Sequence, residues 1–494
     1  MDLVVIHLME KIDRREFLGK GAMAAGAIFS MGMASKKGLL RGEDDKRPNV
    51  LFIFSDQQRY DTVSCYGSPI VENLTPNLDR LASDGVMFKH AFTPQPICGP
   101  ARACLQTGRY ATETGCFRNK IALPLNEKTM AHRMSEAGYE VGYIGKWHLA
   151  STMTFKDRGV DIDYETKPVP VERRGGYKDF WLASDTLEFT SSGYGGHMFD
   201  TNNQRRDFAQ DRYRVDAQTD WALEYLHSRK KDKPFFLFVS YVEPHHQNDA
   251  SHFLGPKGSK EKFSNYNVPG DLKATAGDWK QEMPDYLGCC KSLDDNVGRL
   301  VNELEILGLR NKTLVIYTSD HSCHFKTRNG EYKRSCHDNS IRIPMIINGP
   351  GFKGGKAVDE FVNLLDMAPT VLTAAGAKLP SNLRGGALQR LVNRDAAGRT
   401  DEIFVQLSEA QVGRAIRTRK WTYSVTAPDK NGITDSYSDI YVEDFLYDNE
   451  KDPCQRNNLI ADSAYNDIRL GLAEKLKHHM VKAGEKTPAI RPKV

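Results

Sequence analysis

A chain of 494 residues is longer than one hydrophobic core usually serves, so at least two domains are expected. Apolar residues make up 40% and charged residues 27%, ordinary globular proportions that argue against a disordered or fibrous protein. A formal net charge of +4 is too small an excess of base to make a case for nucleic acid as a partner.

Residues 1–40 differ in kind from the rest. Arg14 and Arg15, followed by Phe17, Leu18 and Lys20 and then the small, apolar run Gly21 to Ala34, resemble a twin-arginine export signal with a cleavage site at Gly32-Met33-Ala34. The chain is therefore expected to be exported, to the periplasm by that route. That apolar run is too short to cross a membrane comfortably. Nothing later reaches the roughly 18 consecutive apolar residues a span needs, so no transmembrane span is expected. Residues 41–48 are charged, end at Pro48 and read as a linker. The cysteines, at 65, 98, 104, 116, 289, 290, 323, 336 and 454, show no zinc spacing.

Asn49 to Ser55 is a continuous apolar run of strand length, suited to a strand buried on both faces of a parallel sheet, and it ends at Asp56 and Gln57. Helical period follows over Leu74 to Ser83 and Glu127 to Ala137. Tyr139 to Ile144 reads as a strand running into Gly145-Lys146-Trp147-His148. Asp211 to Ser228 is helical, and Phe235 to Tyr241 is a strand running into Glu243-Pro244-His245-His246. Met283 to Gly308 is helical, and Thr313 to Ser319 is a strand running into Asp320-His321. Each titratable group alone reads as a turn former, a helix cap or a packed imidazole. Four sets at the same end of four apolar strands read as one cleft, because open α/β sheets build their sites at the carboxyl ends of strands.

Cys98 introduces a fifth element. Pro94, Pro96 and Pro100 stiffen its approach, and Ala101 to Gln106 reads as a short helix closed by Gly108. A cysteine just ahead of a helix N-terminus lies in a field that favours anions, with Arg102 one turn on. That places a reactive group beside an anion pocket.

Cys98, Pro100, Ala101, Arg102, Leu105, Thr107 and Gly108 together resemble the signature of the sulfatases. The similarity runs over roughly residues 49–460. Ser55-Asp56-Gln57 looks like the family's first metal-binding turn, where many members carry a second Asp in place of Gln57. Thr318-Ser319-Asp320-His321 looks like its second, which more commonly continues with Gly where this chain has Ser322. Gly145-Lys146-Trp147-His148-Leu149, Pro244-His245, and Lys333 ahead of Ile341-Arg342-Ile343-Pro344 match further family elements. The resemblance implies an α/β architecture of alkaline-phosphatase type over residues 49–385, with a central mixed, mostly parallel sheet flanked by helices. Over residues 386–494 it implies a smaller α+β subdomain with an antiparallel sheet.

The same resemblance implies roles. Cys98 is expected to be oxidised by a formylglycine-generating maturation enzyme to formylglycine, whose hydrate is the nucleophile. Asp56, Asp320 and His321, with the group at position 98, are expected to hold a divalent metal. The mostly hard oxygen set favours Ca²⁺, with Mg²⁺ or Mn²⁺ as alternatives. Gln57 either adds a carbonyl ligand or orients Asp56. Arg102 is expected to steady the hydrate, and Lys146 and Lys333 to bind the sulfate oxygens. His245 is implied as the acid for the departing alcohol, and His148 as the base that ejects sulfate and restores the aldehyde. His246 is adjacent to His245, and the family spacing after Pro244 favours His245.

Residues 151–210, with Arg173-Arg174, Tyr177, Phe180-Trp181 and Tyr194 to His197, read either as a cleft rim suited to sulfated sugar rings or as an ordinary excursion. The polar stretch 245–280 is a candidate gate. Near the C-terminus Phe404-Val-Gln, Arg414 to Arg417 and Lys420 to Ser424 read as short strands, and Leu472 to Ala483 as an amphipathic helix. The reading is an exported sulfatase acting on a sulfated carbohydrate. A formylglycine-dependent phosphodiesterase or phosphonate monoester hydrolase is the enzymatic alternative, and a glycan-binding protein on an inactive scaffold the other.

Overall fold

The computed structural model describes residues 47–67, 70–153 and 161–493. The export-signal reading falls on residues outside these. No helix among the described residues is long and apolar enough to cross a membrane.

The large sheet is built from β1 (Asn49–Ser55), β2 (Val86–Phe92), β3 (Glu140–Lys146), β4 (Phe180–Ser184), β5 (Tyr194–Asp200) and β6 (Arg205–Tyr213). It continues with β7 (Phe235–Ser240), β8 (Thr313–Ser319), β9 (Arg342–Ile343), β10 (Met345–Asn348) and β11 (Lys356–Asn363). The strand order is β11-β2-β10-β8-β1-β7-β3-β4-β5-β6, with β9 beside β2. Strands β8, β1, β7, β3 and β4 are mutually parallel, so their carboxyl ends share one edge, while β10, β5 and β6 pair antiparallel outside them. This is the mixed sheet with a parallel core expected from the sequence.

Burial explains why the central runs lack polar alternation. Val50, Phe52 and Phe54 of β1 pack on one face with Phe236 and Phe238 of β7 and Leu314 and Ile316 of β8. Leu51 and Ile53 pack on the other with Leu237, Val239, Val315 and Tyr317. Helix Met130–Glu136 covers the first face. Helices Pro76–Asp84, Arg214–Ser228 and Trp279–Ile306 cover the second through Leu78, Leu81, Ala222, Leu226, Val297 and Leu300. Each such buried aliphatic or aromatic side chain contributes about 1.5–3 kcal/mol relative to exposure. The two faces together therefore hold the parallel core rigid under the site.

The second sheet comprises β12 (Glu402–Leu407), β13 (Gly413–Thr418), β14 (Trp421–Thr426), β15 (Ile440–Asp448) and β16 (Ala489–Arg491). The first four pair antiparallel, as expected, and β16 joins β15 in parallel. Helix Asn466–Lys482 packs on it through Leu472, Leu476 and Met480. All nine cysteines are free thiols.

Candidate active site

The residues singled out at the strand ends converge. Asp56 and Gln57 follow β1, Lys146 closes β3, His245 lies beyond β7, and Asp320 and His321 follow β8. Helix Cys98–Thr107 begins at Cys98 itself, one turn earlier than its sequence pattern indicates, and ends at Gly108 in the left-handed conformation with φ +69°. Its first turn points Cys98, 1% exposed, into the group. Around Cys98 Sγ stand Lys333 Nζ at 2.9 Å, His321 Nε2 at 3.2 Å and Asp56 Oδ1 at 3.4 Å.

Close approach of β3 to β7 sets the position of Lys146. Gly145 has φ +107°, and a Cβ there would stand 1.9 Å from the Ser240 carbonyl oxygen, so only glycine fits. The Lys146 carbonyl then accepts from Ser240 Oγ at 2.9 Å and from Arg102 Nη1 at 2.9 Å. Two non-glycine residues, Gln57 with φ +66° and His148 with φ +61°, are also left-handed. Such conformations persist where the surroundings over-determine them. The backbone N–H of His148 is held by the Asp185 carbonyl at 2.8 Å, and the Asp185 carboxylate accepts from Ala150 and Ser151 N–H at 2.9 Å each.

One ligand atom each from Asp56, Cys98, Asp320 and His321 lies within 4.8 Å of all the others. The donor set suits a hard divalent cation, and two further observations fit one. Gln57 Oε1 is buried and accepts no hydrogen bond, and Asp320 Oδ2 is buried with no hydrogen bond and the Arg102 guanidinium 3.4 Å away, a costly arrangement for an amide and a carboxylate oxygen that a bound cation would relieve. Asp320 Oδ1 is already engaged by the N–H groups of Gln57 at 3.0 Å and His321 at 2.8 Å.

The electrostatics are strongly biased. Burial alone would push the Asp56 carboxyl up, as would the neighbouring Cys98 sulfur, yet Lys146, His245 and Arg102 hold it below the usual carboxylate range. Burial and the facing Asp56 push Asp320 up to about 6. Burial opposes ionisation of Cys98, but Lys146, Lys333 and His321 drive its thiol well below the ordinary value. The position is built to carry negative charge.

The contacts of the cations divide them. Lys333 Nζ meets Cys98 Sγ, His245 Nε2 and His321 Nε2. Lys146 Nζ reaches Asp56 Oδ2 at 2.8 Å and also bonds Glu188. Arg102 lies beneath the carboxylates instead of alongside the cleft, with Nη2 3.0 Å from Asp56 Oδ2 and Nε 3.4 Å from Asp320 Oδ2. It braces the carboxylates and has no hydrogen bond to Cys98.

A cleft of about 380 Å³ opens over this group, lined by Gln57, Cys98, Lys146, His148, His245 and Lys333. From 151–210 it takes Glu165, Thr186, Glu188 and Phe189, and from 245–280 His246 and Asn248. The residues named from that excursion lie elsewhere: Tyr177 and Trp181 are in the core, Arg174 bonds the Val169 and Thr201 carbonyls, and Tyr194 to His197 lie in β5. Sequence reasoning missed Glu188, Asn119, Arg334 and Glu409. Glu188 follows β4 by four residues, so the strand-end pattern extends to a fifth parallel strand.

Comparison with known proteins places the chain among relatives. A model of the sulfatase family matches residues 48–377, and one described as the C-terminal part of N-sulphoglucosamine sulphohydrolase matches residues 330–482. The chain is 29% identical to an ulvan-active sulfatase of Formosa agariphila, over 90% of this chain and 83% of that protein. It is 26% identical to an N-acetylglucosamine-6-O-sulfatase of Bacteroides thetaiotaomicron, over 86% and 84%. Among solved structures it resembles a yidJ sulfatase from Bacteroides fragilis, with TM-score 0.74, 26% identity and coverage of 91% and 98%. In fold it also resembles a phosphonate monoester hydrolase of Agrobacterium radiobacter, with TM-score 0.67, 22% identity and coverage of 88% and 96%.

Proposed function

The chain belongs to the sulfatase family, and from that premise we propose that it is an exported enzyme hydrolysing a sulfate ester on a carbohydrate to the alcohol and inorganic sulfate. The observation that carries this reading is the ring of Lys333, His321 and Asp56 around Cys98 Sγ, with Lys146 and His245 one contact further out. A sulfate ester resists attack because its oxygens repel nucleophiles, so fixed positive charge and an activated nucleophile are what catalysis requires. Both similarity to an N-acetylglucosamine-6-O-sulfatase and an exposed aromatic, Phe189, on the cleft wall support a sugar as the alcohol. We read 49–385 as the catalytic unit and 386–494 as a cap on one side of it.

Asp56, Asp320, His321 and the Gln57 carbonyl oxygen would hold a divalent metal, Ca²⁺ by preference, which supplies positive charge against a sulfate oxygen and lowers the pKa of the nucleophile. Cys98 would be matured to formylglycine, which supplies a hydrate oxygen as that nucleophile. Lys146 and Lys333 bind the remaining sulfate oxygens. His245 and the Lys333 ammonium hydrogen-bonded to its Nε2 together deliver a proton to the departing sugar oxygen. His148 lines the cleft and takes a proton from the group at position 98.

Two measurements test this. Peptide mass analysis of the Cys98 segment should show H₂S replaced by O. Initial rates on defined sulfated saccharides should exceed those on a phosphodiester or phosphonate monoester. An unmodified thiol in the native protein, or faster turnover of the phosphorus esters, would overturn the reading.

A further inference from the structure

Glu188 is the buried acid that the sulfate-binding scheme leaves unexplained. It sits on the single helical turn Leu187–Thr190 after β4, is 4% exposed, and lines the cleft. One carboxylate oxygen bonds Lys146 Nζ and lies 3.8 Å from His245 Nδ1. The other, Oε2, is buried and accepts no hydrogen bond. The backbone is pinned, since Gln247 Nε2 donates to the Glu188 carbonyl at 3.3 Å. Burial opposes its ionisation, but Lys146, His245 and His148 hold the carboxyl down at about 2, so it is charged at any working pH. A site for an oxyanion thus keeps a negative charge on one of its own anion-binding cations.

The charge balance of the reaction gives a reason. Hydrolysis runs R–O–SO₃⁻ + H₂O → R–OH + SO₄²⁻ + H⁺: the S–O bond to the sugar breaks, one to a water-derived oxygen forms, and the bound oxyanion goes from one negative charge to two. Repulsion from a fixed carboxylate scales with the charge of the bound group, so Glu188 weakens the grip on a dianion about twice as much, in free energy, as on a monoanion. A phosphate monoester, carrying about two charges above its second ionisation near pH 6, meets the same penalty.

We propose that Glu188 makes the cleft selective for singly charged esters over doubly charged oxyanions, so that it releases inorganic sulfate and rejects phosphate monoesters. The proposal rests on the sulfatase reading above. It differs from a purely structural role, in which Glu188 only aims the Lys146 ammonium and its loss weakens all anions alike.

The test is calorimetric binding of inorganic sulfate and of sulfamate, a singly charged tetrahedral isostere, to the mature enzyme and to Glu188→Gln and Glu188→Asp. In Glu188→Gln, sulfate should tighten by about tenfold or more relative to sulfamate. Glu188→Asp, which keeps the charge, should hold the wild-type ratio. Equal shifts for both anions in Glu188→Gln would overturn the proposal. Should that variant not fold, Glu188→Ala takes its place: a gain for sulfate over sulfamate supports the proposal, and equal shifts for both anions overturn it. Binding needs no turnover, so failure of the sulfatase reading, seen as faster hydrolysis of phosphorus esters, is scored separately.

Discussion

Lys333 Nζ lies 2.9 Å from His245 Nε2, nitrogen to nitrogen, with both side chains buried. Two nitrogens at that separation share one hydrogen. His245 Nδ1 donates its own to the His246 carbonyl oxygen at 2.5 Å, so Nε2 accepts from the Lys333 ammonium. Burial first, and then the Lys333 charge, lower the affinity of His245 for a second proton. The proton for the leaving alcohol therefore belongs to the pair. Lys333→Ala and His245→Ala should each lower kcat by about 10²–10⁴, the usual worth of general acid catalysis. The double variant should cost little more than the worse single one. Fully additive losses in that cycle would separate the two residues into independent roles.

Gln57 Oε1 and Asp320 Oδ2, buried without a hydrogen bond, predict metal dependence with a thermal readout. After chelation, Ca²⁺ at about 100 times its Kd should restore about 2.7 kcal/mol of stability, seen as a rise in Tm. Asp320→Asn should abolish that rise. Gln57→Ala should weaken Ca²⁺ binding about tenfold if its carbonyl oxygen is a ligand. Unchanged affinity in Gln57→Ala would leave Gln57 as a residue that only orients Asp56.

How much of this was legible in the sequence follows from which forces act locally. The runs Asn49–Ser55, Phe235–Ser240 and Thr313–Ser319 announce themselves because strands buried on both faces need uninterrupted apolar residues. Asp56, Asp320 and His321 are readable because they directly follow such runs, and Lys146 because it closes the strand Glu140–Lys146. Phe180–Ser184 also runs parallel and buried, but it lies among charged and glycine-rich residues, so its strand and the Glu188 beyond it carried no local signal. The contacts of Arg102 carry no local signal: one helical turn beyond Cys98 its guanidinium meets Asp56, Asp320 and the Lys146 carbonyl, which depend on three distant strand ends. The helix Arg214–Ser228 starts later than its periodic pattern because residues 205–213 are drawn into β6 at the sheet edge.

Glu409 ties the second sheet to the cleft. It follows β12, and its Oε1 accepts from the Asn119 N–H at 2.7 Å while Oε2 accepts from Arg334 Nε at 2.8 Å. Asn119 Oδ1 in turn accepts from Gly99 N–H at 2.8 Å, at the start of the Cys98 helix, and Arg334 is next to Lys333. Both segments that carry the reacting groups are thus anchored on one carboxylate. Glu409→Ala should lower kcat/KM about tenfold by loosening that alignment, while Glu409→Gln, which keeps one acceptor, should lose less. A drop in Tm with unchanged kcat/KM for Glu409→Ala would limit Glu409 to stability.

His324 predicts how the fold responds to acid. It is fully buried, its Nε2–H donates to the Lys333 carbonyl at 3.0 Å, and its Nδ1 has no hydrogen-bond partner. Burial, which outweighs the hydrogen bond to the Lys333 carbonyl favouring the charged form, lowers the imidazole from 6.5 to about 4. The unfolded chain therefore binds a proton between pH 6.5 and 4 that the folded chain refuses. Stability from this group is complete above pH 6.5 and is lost as the pH falls to 4, by up to about 3 kcal/mol. Asp294 acts in the opposite sense, since burial raises its carboxyl to about 6 and favours the folded state at low pH, so only a difference between variants isolates the histidine. Urea unfolding of the wild type and His324→Gln at pH 7, 6, 5 and 4.5 should show a shallower fall in the variant, by about one proton near pH 5. Parallel curves would mean that His324 is charged in the folded protein and that its unpartnered nitrogen is met by an acceptor.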